Sequence, residues 1–253
     1  MVDYTDITER KLAQEALEKN LSQRAESIKI LESVSYTIAH DLRSPVRAIK
    51  TFAGALIEGV PSSETGKEYP QKIYQAAERM TQLIDGLLQY SQLAHQTVPI
   101  GVVNLNALVG EILAEMEEEI QKANAEIQVS EPLPMLRGNE TLIGQIVCNL
   151  IGNALKFVAR GVTPKILIRA EPGDSKVRLW VQDNGIGIET KFQEKIFGVF
   201  ERLHSTDEFP GTGVGLAIIK SAADRMGGTV GVESELGKGS KFWIELPAAN
   251  AGE

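Results

Sequence analysis

His40 is one of only three histidines in this chain, and Asp41 follows it directly in the run SYTIAHDLRSPVRAIK. Ile38, Leu42, Val46 and Ile49 recur around it at helical spacing. That spacing sets the imidazole off the apolar stripe and toward water. A neighbouring carboxylate can hold or remove a ring proton, which leaves the imidazole able to attack and carry a phosphoryl group. Taken alone, a His-Asp pair is more often a solvated surface feature, so the chemistry depends on what the rest of the chain supplies.

Three blocks in the second half supply a candidate nucleotide site. In NLIGNALKF (149–157), Asn149, Asn153, Lys156 and Phe157 share one helix face. Two amides and an ammonium are poor core material but suit phosphates and a magnesium ion. In DNGIG (183–187), Asp183 ends an apolar strand and glycines follow at once. The backbone can turn sharply there, with the carboxylate free to accept from an exocyclic amine. In GTGVGLAI (211–218), alternate glycines lead into a helix, which exposes backbone N–H groups to phosphate. Between these blocks, FGVFERLH (197–204) reads as a lid segment anchored by Phe197 and Phe200, with Arg202 able to approach a terminal phosphate.

Each block has an ordinary alternative: a helix with a polar face, an Asp-Asn-Gly turn, a flexible loop. GTGVG is not a Walker loop, because no Gly-Lys-Ser/Thr follows. It is not a dinucleotide fingerprint either, since the flanking pattern is not βαβ.

These residues need elements to hold them. Residues 8 to 60 read as one long helix. Leu17, Leu21, Arg24, Ile28, Leu31, Ser35, Ile38 and Leu42 follow steps of four and three, a coiled-coil seam interrupted at two polar positions. VPSSETG (60–66) is a turn signal. A second helix runs to Leu93, with Ile73, Ala76, Ala77, Met80, Leu83, Ile84, Leu87 and Leu88 on its apolar face. Two such hairpins close a four-helix bundle, so a homodimer is expected. HQTVPIGVVN (95–104) reads as a linker.

Beyond the linker the pattern is mixed. Helices are expected over 105–124, 139–159 and 212–226, and strands over 126–130, 165–170, 176–182, 229–234 and 241–246. This fits an α/β layer with helices on one face. The resulting division is a linker helix (1–24), a hairpin domain (25–95), a connector (96–103), an α/β domain (104–247) and a tail (248–253).

The net charge of −8 opposes general nucleic-acid binding. No apolar run is long enough to span a membrane. The single cysteine, Cys148, lies among apolar neighbours and reads as core packing. A cytoplasmic location is expected.

In order, the blocks resemble the sensor histidine kinases of two-component signalling. HDLRSP is similar to the H box of the HisKA class, NLIGNALKF to the N box, DNGIG to the G1 box, FGVF to the F box and GTGVG to the G2 box. RLHSTDEFPGTGVGLAI resembles phytochrome-type kinases. The resemblance implies a dimeric helical bundle followed by the ATP-binding α/β sandwich shared with gyrase and heat-shock chaperones. It implies that His40 takes the γ-phosphoryl group of ATP and passes it to a response-regulator aspartate. Asp41 would orient or deprotonate the imidazole, and Ser44 stands where this class places a residue for a hydrolytic water. Asn153 would bind Mg2+, with Asn149, Lys156 and Phe157 around phosphates and ribose. Asp183 would take the adenine amine, with Gly185, Gly187 and Ile188 shaping the base pocket. Gly211, Thr212, Gly213, Gly215, Leu216 and Arg202 would serve the phosphates. The N-terminal VDYTDITERKLAQEAL resembles the exit of a PAS sensor domain, implying an upstream sensor. Two other functions are compatible with such blocks: a nucleotide-holding scaffold with little chemistry, and a gyrase-type ATPase. The second would need a glutamate where Asn149 stands, and an amide is a poor general base.

Overall fold

The computed structural model of the protein describes residues 42–58, 68–95, 98–203, 208–209 and 211–249. His40, Asp41, the seam upstream of Leu42 and the turn at 60–66 lie outside them. The chain forms two compact units, one ending at Met80 and one beginning at Thr81. The division falls inside a helix rather than in the expected linker.

In the first unit, helix α1 covers residues 42–57. Helix α2, Tyr69–His95, begins there and continues into the second unit. Phe52 stacks on Tyr69 with ring centroids 5.3 Å apart, and the Lys72 ammonium lies 5.5 Å from the Phe52 ring. Most of the apolar face of α2 is not buried within one chain. Tyr74, Ala77, Thr81, Ile84 and Leu88 follow heptad spacing along the helix. Tyr74 is 65% exposed and Leu88 52%. On α1, Val46 and Ile57 are exposed as well.

The second unit is an α/β sandwich. Its five-stranded sheet has the order β2-β4-β5-β7-β6. The strands are β2 (Glu126–Val129), β4 (Lys165–Pro172), β5 (Lys176–Asp183), β6 (Thr229–Glu235) and β7 (Gly239–Pro247). All pairs are antiparallel except β2 with β4. Inward residues such as Ile168, Leu179, Ile244 and Leu246 are fully buried. They meet helices α3 (Leu105–Glu115), α5 (Glu140–Lys156) and α6 (Gly215–Arg225), whose Leu105, Ile143, Ile146, Leu150 and Ile219 complete the core. This is one sheet face covered by helices, as the alternation in the sequence suggests.

Two expectations are corrected. The connector read up to Val103 ends in a strand: β1 (Gly101–Asn104) pairs antiparallel with β3 (Met135–Gly138). Both are four residues long and have little alternation, so neither announces itself without its partner. The helix expected over 105–124 breaks at Met116 into α3 and the short α4 (Glu117–Lys122). Helix starts are set by local chemistry. Asn104 caps α3 by accepting from the Ala107 N–H, and Asn139 caps α5 by accepting from the Leu142 N–H.

Candidate active site

A cavity of about 440 Å³ opens between α5, the end of β5, the 196–203 segment and the start of α6. Its floor comes from α5, where Ile146, Leu150, Ile151 and Ala154 face the core. The opposite face then carries Asn149, Asn153 and Lys156 into the cavity. The Asn149 amide donates to the Gln145 carbonyl at 2.8 Å. That commits its nitrogen and fixes Oδ1 as the outward atom. Gly215 approaches this oxygen so closely that a Cβ there would lie 3.0 Å from it.

Lys156 lies with its ammonium 4.1 Å from the Phe157 ring centre. Burial, reinforced by the Arg202 charge, lowers its pKa to about 8. Phe209 stacks against Phe157 at 5.2 Å. Two cations and an aromatic pair therefore gather where a polyanion would be welcome.

Asp183 closes the inner end. Its Oδ1 accepts from the Gly185 N–H at 2.8 Å and the Ser240 N–H at 3.0 Å. Burial raises its pKa, although both backbone bonds act to lower it. Among the described residues no donor meets Oδ2. Gly185 does not line the cavity as expected; it sits behind Asp183, where a Cβ would strike the Phe157 carbonyl oxygen at 2.3 Å. Gly187 has φ 71°, and a Cβ there would reach the Glu235 carbonyl oxygen at 2.0 Å.

The third wall joins two blocks. Phe200 adopts φ 64°, rare for a bulky residue, and its N–H donates to the Gly213 carbonyl at 3.0 Å. With 8% exposure it is the apolar anchor of this segment, alongside Ile196; Phe197 is only half-buried. Arg202 lines the cavity and donates to the Phe209 carbonyl at 3.3 Å.

Every residue expected at the nucleotide site lines this cavity except Gly185. Ser44 lies exposed on α1 in the first unit. Sequence reasoning missed Ser240, Ser234 and Gln193. Ser234 Oγ accepts from the Ile188 N–H, and the Gln193 amide donates to the Ser234 carbonyl. It also missed Gln82, Asp85, Gly86 and Gln89 of α2, which line the cavity from Thr81 onward in the same unit.

The residues fit a magnesium nucleotide. No cluster of three or more His, Cys, Asp or Glu side chains that could hold a metal occurs among the described residues. An amide oxygen held outward can join phosphate oxygens and water around a Mg2+, while the two cations balance phosphate charge.

Comparison with known proteins agrees with this geometry. Residues 30–96 match the His Kinase A (phospho-acceptor) domain, and residues 138–250 match the histidine kinase-, DNA gyrase B- and HSP90-like ATPase. The phytochrome-like protein Cph1 of Synechocystis sp. is 33% identical over 87% of this chain, which spans 29% of that protein. The sensor-like histidine kinase SenX3 of Mycobacterium tuberculosis is 31% identical over 83% of this chain and 52% of its own length. The histidine kinase ThkA in complex with the response regulator TrrA aligns with TM-score 0.72 at 27% identity, covering 93% of this chain and 67% of that one. Full-length ShkA in complex with AMPPNP aligns with TM-score 0.60 at 29% identity, covering 87% and 47%.

Proposed function

Because this chain belongs to the sensor histidine kinases, we propose that it uses ATP to phosphorylate His40 and hands the phosphoryl group to a receiver-domain aspartate. The observation that carries this is one cavity gathering all three nucleotide blocks, in a chain whose phospho-acceptor match includes His40.

Each residue then has a task. Asp183 accepts from the adenine amine. Lys156 and Arg202 balance the phosphates. Asn153, and Asn149 through its outward Oδ1, offer amide oxygens to Mg2+, which neutralises phosphate charge when bound. His40 receives the γ-phosphoryl group while Asp41 orients its imidazole. Ser44, four positions along the sequence, positions water when the phosphate is removed. Transfer of this kind rests on positioning and electrostatics more than on covalent assistance.

The solved complex of ThkA with TrrA supports a receiver-domain partner. The exposed heptad stripe on α2 supports a homodimer. An upstream sensor domain is proposed from the PAS-like N-terminal run and from the greater length of the relatives. No helix among the described residues is long and apolar enough to cross a membrane; we place the kinase core in the cytoplasm, where ATP is available.

Incubation with γ-labelled ATP tests the proposal. An acid-labile label that disappears in His40→Gln is expected. Free phosphate without protein label would instead indicate an ATPase, and no label at all a scaffold. Mixing His40→Gln with Asp183→Asn chains then separates transfer between subunits from transfer within one.

A further inference from the structure

Ser234 lies outside the cavity, yet its hydroxyl is saturated. Its Oγ accepts from the Ile188 N–H at 2.8 Å, contacts the Gly239 carbonyl oxygen at 2.8 Å and contacts Ser240 Oγ at 2.9 Å. A serine hydroxyl has one proton and two lone pairs. A carbonyl oxygen only accepts, so the Ser234 proton must go to Gly239. One Ser234 lone pair takes the Ile188 N–H. The other is left for Ser240, whose hydroxyl must therefore be the donor in that contact.

This fixes the polarity of a group that does line the cavity. Ser240 is 5% exposed and its own proton is spent on Ser234. Only lone pairs remain on its oxygen to face a ligand. Beside it, Asp183 Oδ1 is filled by two N–H groups, leaving Oδ2 as an acceptor. The inner end of the cavity thus presents acceptors alone.

We propose that Ser234 is a specificity-determining residue for the base: by orienting the Ser240 proton away from the cavity, it makes the site choose a 6-aminopurine over a 6-oxopurine. A 6-amino group donates to this edge. A 6-oxo group in the same position sets an acceptor against Asp183 Oδ2 and Ser240 Oγ. The N1–H that accompanies it lies one ring position away and does not relieve the oxygen, and a buried unmatched acceptor is costly. The inference rests on the nucleotide site proposed above and deepens it.

Calorimetry on the full chain tests it, with Mg-ADP and Mg-IDP as probes. Wild-type protein should bind ADP and discriminate against IDP. In Ser234→Ala the Ser240 proton loses its acceptor and can turn toward the cavity. The ADP-to-IDP affinity ratio should then fall at least about fivefold, the worth of one neutral hydrogen bond. Ser234→Thr keeps the hydroxyl and should restore the ratio. A merely structural role for Ser234 would weaken both ligands together and leave the ratio unchanged, which would overturn the proposal. A wild-type protein that binds both equally would overturn it too. Should Ser234→Ala fail to fold, Ser240→Ala decides, because it leaves the Ile188 and Gly239 bonds to Ser234 in place; an unchanged ratio there sinks the idea. Absence of binding by either nucleotide to wild type would instead refute the nucleotide site itself.

Discussion

Asp183 is held at a cost. Burial raises its carboxyl pKa despite two backbone N–H bonds, so in the folded state its charged form is disfavoured. A group with a raised folded pKa contributes stability at low pH and loses it as pH rises through that value. At neutral pH the charge therefore weighs against folding. Asp183→Asn should keep or raise the thermal midpoint without ligand, while ADP affinity falls about 100-fold because Asn can turn a donor where an acceptor is needed. Scanning calorimetry and titration calorimetry check the two halves; a lower midpoint with intact affinity would contradict both. Lys156 gives a second handle. Its pKa is lowered to about 8 by burial and by Arg202. Phosphates placed beside it should raise that value again. Nucleotide binding near pH 8.5 should then take up a proton, and affinity should decline as pH rises above about 8. Titrations in buffers of different ionisation enthalpy measure the uptake. Lys156→Arg, which stays charged, should abolish it.

At the scale of elements, glycine shows how far the sequence alone could be followed. Gly152 and Gly187 both sit in motif blocks, and nothing in their spelling separates them. Gly152 is on α5 with open space where a Cβ would go, whereas Gly187 has φ 71° and a Glu235 carbonyl in the way. Gly152→Ala should stabilise by up to about 1 kcal/mol through helix propensity. Gly187→Ala should destabilise by more than about 2 kcal/mol through backbone strain and collision. Urea unfolding of the two variants distinguishes them, and similar shifts would refute the geometry. What periodicity does encode was readable: α5, α6 and the β4-β5 and β6-β7 hairpins lie close to where the pattern puts them. So were the cavity-lining side chains with unusual chemistry, Asn149, Asn153, Lys156 and Asp183. The β1-β3 pair was not, because it joins residues 101–104 to 135–138 by backbone bonds that leave no side-chain signature. Ser234 and Ser240 were missed for a related reason. Serine is common, and their value depends on bringing Ile188, 46 positions away, within 2.8 Å of Ser234.

For the molecule as a whole, the telling surface is the one that a single chain leaves open. Along α2, Tyr74, Ile84 and Leu88 stand 65%, 42% and 52% exposed in heptad register, and Val46 and Ile57 of α1 are exposed too. A helix hairpin with an apolar stripe of this kind cannot satisfy it alone, and in the proposed homodimer a second copy would supply an identical stripe across a twofold axis. Ile84 and Leu88 are one turn apart on the outer side of the helix, away from Leu83, which is buried. Replacing both with glutamate would put two carboxylates into the dimer seam, where desolvation without a partner is severely unfavourable. The double variant should dissociate at concentrations where wild type is a dimer, with the dimer constant weakened at least about 100-fold, or about 2.7 kcal/mol. Neither side chain lines the nucleotide cavity, so ADP affinity should stay within a factor of a few. Sedimentation velocity at micromolar protein reads the first effect and calorimetry the second. If transfer to His40 runs between subunits, the same variant should lose labelling in proportion to the monomer formed; if it runs within one chain, labelling should survive dissociation. A wild-type protein that sediments as a monomer at these concentrations would remove the dimer from the account.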